Sequence, residues 1–88
     1  MSNKPLLLIV DDDPLISDSL SHAFAAEFDV VTSHARPHCL ALLRQLRQTP
    51  QAALVDLGLP PQPHRPDEGF ALIGELLAHA PEMKIIVL

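Results

Sequence analysis

Residues 6–10 read LLLIV, an unbroken apolar run that ends on Asp11, Asp12, Asp13 and Pro14. A strand covered on one face alternates apolar and polar residues. A run with no polar interruption belongs to a strand covered on both faces, an arrangement found mainly in parallel sheets sandwiched by helices. The pattern recurs at residues 52–55 (AALV), which end on Asp56, and at residues 84–88 (KIIVL). A β-rich segment, DVVTS, lies at residues 29–33. Amphipathic stretches separate these segments. Strands alternating with helices predict an α/β fold with a parallel sheet and right-handed crossovers.

Punctuation supports the alternation. Asp13 followed by Pro14 reads as an N-cap and a first-turn proline. In the helix after it, Leu15, Ile16, Leu20, Ala23 and Phe24 are predicted to face inward, with Ser17, Asp18, Ser21 and His22 towards water. Pro37 opens a second helix with Leu40, Leu43 and Leu46 inward and Arg44, Arg47 and Gln48 outward, stopped by Thr49–Pro50. Leu57 to Gly69, LGLPPQPHRPDEG, carries four prolines and reads as a loop. Residues 68–80 are predicted to form a third helix with Phe70, Ile73, Leu76, Leu77 and Ala80 inward. The scheme holds four strands and three helices.

Composition bounds the function. A chain of 88 residues is one domain, 1–88, with a thin core. The formal net charge of −5 argues against direct nucleic-acid contact by this segment. The single Cys39 allows no internal disulfide and suits a reducing compartment. The apolar runs are too short for a membrane span, and the N-terminal residues lack a signal-peptide pattern. A soluble cytoplasmic protein is expected. His34 and His38 stand four apart beside a half-buried Cys39, but Pro37 between them breaks a shared helical face and no further ligand completes a site. They read as surface histidines. His22, His64 and His79 read as solvated positions, and Arg36, Arg44 and Arg47 as a solvated helix face.

The aspartates carry the chemistry. Ligands of open parallel sheets bind beyond the carboxyl ends of the strands. If the first and third strands are neighbours, their ends lie about 5 Å apart and the carboxylates meet. Such a cluster is costly until a cation or shared protons neutralise it. All-oxygen donors suit Mg²⁺ or Mn²⁺. An aspartate beside such a cation is a competent nucleophile towards phosphoryl groups.

On these residues the sequence resembles the receiver domain of two-component response regulators. LLLIVDDDPLI is similar to that family's first strand and acidic pair, AALVDLGLP to its phosphoacceptor strand and following loop, and EGFALIGELLAHAPEMKIIVL to its third helix and fourth strand. The resemblance implies a flavodoxin-like, doubly wound parallel sheet in three α/β/α layers, with strand order 2-1-3-4. It further implies that Asp56 accepts a phosphoryl group from a sensor histidine kinase or phosphotransfer protein. Asp12 would bind Mg²⁺ directly, Asp11 mainly through water, Asp56 through its carboxylate and Gly58 through its backbone carbonyl. Asp13 aligns with a position of varied type. Receivers have a fifth strand and two further helices, with a switch Ser or Thr and a phosphoryl-contacting Lys. These match nothing up to Leu88, so the segment is expected to be either the first part of a longer regulator, whose output domain controls transcription, or a naturally truncated receiver. The fourth strand, residues 84–88, then becomes an edge that favours self-association. The proline-rich stretch 61–67 reads as a surface insertion bordering the site.

Two other readings compete. In one, the segment is a structural or interaction module that takes no phosphate. In the other, Asp11 and Asp13 form the aspartate pair of a haloacid-dehalogenase-like phosphatase. That family usually has Thr or Val two residues after the second aspartate, where Leu15 stands here, and it leaves Asp56 unused. A receiver is not expected to act as an enzyme beyond labelling itself from small donors and releasing the phosphate.

Overall fold

The structure is a computed structural model and describes residues 3–88. The order of elements is β1 (Leu6–Val10), α1 (Pro14–Phe24), β2 (Asp29–Ser33), α2 (Arg36–Gln45), β3 (Ala52–Val55), α3 (Asp67–His79) and β4 (Lys84–Val87). The strands form one parallel sheet in the order β2-β1-β3-β4. This is the flavodoxin-like order, with β1 and β3 adjacent. The fourth strand ends at Val87, one residue short of the predicted stretch.

The sheet has apolar layers on both faces, which explains the unbroken β1 run. Leu8 and Val10 pack with Ala53, Val55, Cys39, Leu43, Leu72 and Leu76 on the α2/α3 side. Leu7 and Ile9 pack with Leu54, Leu20, Phe24 and Phe28 on the α1 side. All five β1 residues are buried. Phe24 and Phe28 meet edge to face at 6.0 Å, a favourable aromatic geometry. Cys39 is fully buried rather than half-buried.

Three helix assignments differ from the sequence reading. In α1, Leu15 is 76% and Ile16 45% exposed, Ala23 is exposed, and Ser17 is buried. The inward line is Ser17, Leu20, Ser21 and Phe24, whose spacing keeps one helical face. Two serines are tolerated there because their hydroxyls donate back to helix carbonyls: Ser17 to Pro14 at 3.3 Å and Ser21 to Ser17 at 2.7 Å. Polarity alone therefore misjudged the phase. Helix α2 ends at Gln45, with Leu46 already extended, so Thr49–Pro50 lies beyond its end. Helix α3 begins at Asp67 rather than Glu68 and ends at His79. Its buried line is Gly69, Leu72 and Leu76, while Phe70 is 58% and Leu77 39% exposed. Gly69 sets this phase. Its Cα lies flush against the Leu57 backbone, where a Cβ would collide.

Candidate acidic site at the carboxyl ends of the strands

Register brings the carboxylates together. Val10 of β1 pairs with Ser33 of β2 and with Val55 of β3. The next residues continue the ladder: the Asp11 amide donates to the Ser33 carbonyl at 3.0 Å, and the Asp56 amide to the Val10 carbonyl at 2.8 Å. Asp11, Asp12 and Asp56 each offer a carboxylate oxygen within 4.8 Å of the other two. Asp11 is buried, Asp12 exposed and Asp56 half-buried. The set has oxygen donors only, graded from interior to solvent, and fits a hard divalent cation that keeps part of its water shell.

Each carboxylate is held differently. Asp11 Oδ1 accepts the Asp13 amide at 2.9 Å. Burial pushes the Asp11 carboxyl above its ordinary range; the Asp13 hydrogen bond opposes this, and the charges of Asp56, Asp12 and Asp13 add to the rise. Asp13 leaves the cluster. Its Oδ1 accepts the Leu15 amide at 2.9 Å, so it caps α1. Asp56 Oδ1 accepts the Gly58 amide at 3.0 Å.

Gly58 is fitted to its place by contact. A Cβ there would run into the Pro63 carbonyl, because the proline-rich loop folds back onto it. The loop is ordered by turns, with the Gln62 amide donating to Leu59 at 3.2 Å and the Arg65 amide to Gln62 at 3.0 Å. The Pro60–Pro61 peptide is cis. Residues 61–67 are exposed.

On the β2 side, Asp11, Asp12, Pro14, Ser17, Asp18, Thr32, Ser33 and His34 line an open cleft of about 430 Å³. His34 and His38 stack at 4.9 Å, and His38 Nδ1 lies 2.7 Å from Ser33 Oγ. Both rings are exposed, as are His22, His64, His79, Arg44 and Arg47. Arg36 is different. It bonds Glu68 at 2.6 Å and Glu75 at 2.5 Å on α3, so it does not belong to the solvated face predicted for it. Its sequence gave no sign of this, since the partners lie more than 30 positions away.

No helix among the described residues is long and apolar enough to cross a membrane. No family model matches the chain, and no curated protein matches it. Solved structures do. A CheY-like response regulator receiver domain protein from Methanospirillum hungatei JF-1 is 29% identical over 97% of this chain, with a TM-score of 0.81. The BeF3-activated receiver domain of DrrB from Thermotoga maritima is 19% identical over 96% of the chain, with a TM-score of 0.80. A response regulator from Burkholderia pseudomallei, solved with a phosphorylated aspartic acid, calcium ion and citrate, is 24% identical over 96% of the chain, with a TM-score of 0.79. The chain spans 63%, 64% and 46% of those three solved chains. The fold is that of CheY-like response regulator receiver domains.

Proposed function

We propose that the chain is a phosphoacceptor receiver module of a two-component system, with Asp56 as the acceptor. The observation that carries the reading is the convergence of Asp11, Asp12 and Asp56 at adjoining strand ends, on this fold. Asp56 Oδ1 is engaged by the Gly58 amide, which orients the carboxylate and leaves Oδ2 to attack. In the transfer, Oδ2 forms a bond to phosphorus as the phosphorus–nitrogen bond of a phosphohistidine breaks. The imidazole departs with the electron pair and takes up a proton. Asp11, Asp12, Asp56 and the Gly58 carbonyl would hold Mg²⁺ or Mn²⁺ at the cluster. The bound cation supplies charge neutralisation for the cluster and for the incoming phosphoryl oxygens.

The donor is a sensor histidine kinase or a phosphotransfer protein, in the cytoplasm, and the signal passes to an output domain that regulates transcription. The module turns over no substrate of its own beyond self-phosphorylation and release. The phosphatase alternative is disfavoured because Asp13 is spent on the α1 cap and stands apart from the three-carboxylate group. The test is incubation with a small phosphodonor, with and without Mg²⁺, followed by intact mass spectrometry of wild type and Asp56→Asn. A Mg²⁺-dependent adduct in wild type only is expected. Its absence from wild type, or its persistence in the variant, would overturn the reading and favour a module that acts only as an interaction surface.

A further inference from the structure

Arg36 opens α2, three residues after the β2 end that walls the acidic cleft. Its guanidinium spans two carboxylates of α3, Glu75 through Nε at 2.5 Å and Glu68 through Nη1 at 2.6 Å. The fork is only about one-third exposed, and Glu68 one-fifth. A planar guanidinium held at two points fixes direction as well as distance. Glu68 adjoins Gly69, whose amide donates to the Leu57 carbonyl at 3.1 Å and whose Cα rests on the Leu57 backbone. Leu57 lies between Asp56 and Gly58. A short run of direct contacts therefore joins the start of α2, through the first turn of α3, to the peptide next to the acceptor.

We infer that Arg36 is a positioning residue for the acidic site: through Glu68 and Gly69 it fixes the Leu57–Gly58 backbone beside Asp56. The inference rests on the receiver reading for its effect on cation binding, but not for its effect on the loop. Without Arg36, Glu68 and Glu75 keep their charges on one side of α3 with no cation between them. The first turn of α3 then loses its tie to α2, and the Gly69–Leu57 contact loosens. Lysine at 36 keeps the charge but lacks the fork, so it restores the link only in part.

The test compares wild type, Arg36→Ala and Arg36→Lys by amide hydrogen exchange without metal and by Mg²⁺ titration, at a temperature where all three are folded. Arg36→Ala is expected to speed exchange of the Gly69 amide about tenfold while the Leu8 and Leu54 amides stay protected, as local opening allows. Mg²⁺ binding should weaken about tenfold, the lower end of the loss usual on removing an outer partner that orients a ligand. Arg36→Lys should fall between. A clamp that merely adds stability would lower the melting temperature and leave Gly69 exchange and Mg²⁺ affinity unchanged, which overturns the inference. If wild type takes up no Mg²⁺, the receiver reading of the site falls, and Gly69 exchange alone still decides for or against Arg36.

Discussion

The Asp56 amide donates to the Val10 carbonyl at 2.8 Å, one residue before Asp11. That bond continues the β1–β3 ladder past its last strand pair, Val10 with Val55, and sets the two acidic strand ends level. The acidic site is thus a product of register. A one-residue slip of β3 would turn Asp56 to the other face and separate the carboxylates.

Asp11 makes the metal-free protein sensitive to pH in an unusual direction. Its carboxyl titrates above the ordinary range in the fold, mainly through burial. Between its unfolded value and that raised value the folded state binds the extra proton, so stability falls as pH rises through this window. Adding Mg²⁺ at neutral pH should recover the loss. Asp11→Asn should raise metal-free stability at pH 7 and weaken stabilisation by Mg²⁺. Thermal melts against pH, with and without Mg²⁺, check both. A metal-free stability gain of Asp11→Asn over wild type that fails to grow as pH rises refutes this account of Asp11.

Asp13 separates from its two neighbours under mutation. Asp13→Ala removes the acceptor for the Leu15 amide and should cost about 1 kcal/mol, the usual worth of an N-cap. Mg²⁺ affinity should change little. Denaturant unfolding combined with Mg²⁺ titration measures the two effects separately, and a large loss of Mg²⁺ binding would place Asp13 among the ligands.

Two glycines of α3 should respond oppositely to alanine. A Cβ at Gly69 meets the Leu57 backbone, which has no flexible end to move, so Gly69→Ala should destabilise by about 2 kcal/mol or more. A Cβ at Gly74 meets nothing within 4 Å, and helix propensity then predicts a gain of about 0.5–1 kcal/mol. Urea midpoints of the two variants settle the comparison.

Cys39 should behave as a buried apolar side chain. Burial pushes its thiol up to about 11, with the Glu75 charge adding to the effect. At pH 8 almost no thiolate forms, and alkylation should proceed only as fast as the protein opens. Labelling rates that track global unfolding across a urea series would confirm it, while rapid labelling of the folded protein would contradict it.

Strand β4 should drive self-association. Ile86 and Val87 are 54% and 49% exposed, one beside each face of the sheet, and no described strand pairs with the outer edge of β4. Such an edge is a template for another chain. Sedimentation is expected to show concentration-dependent dimers or larger species that Ile86→Lys suppresses. A monomer at millimolar concentration would exclude this behaviour.

Much of the architecture was legible because it rests on local signals. Unbroken apolar runs mark buried parallel strands, Asp13–Pro14 marks a helix start, and carboxylates at two strand ends mark where they converge. What escaped depends on contacts distant in sequence. The phase of α3 follows from the Gly69 backbone resting on Leu57, which no periodicity announces. The phase of α1 follows from serines that satisfy their own hydroxyls, so Ser17 is buried while Leu15 lies in water. Arg36 looked solvated because its partners come from a helix that β3 and a long loop separate from it in the chain.

The proline-rich loop is pinned at both ends by close backbone approach, Pro63 against Gly58 and Leu57 against Gly69. Everything between those pins is a cassette. A change confined to the exposed residues 64–66 between them leaves both contacts, and with them the Leu57–Gly58 backbone beside Asp56, in place.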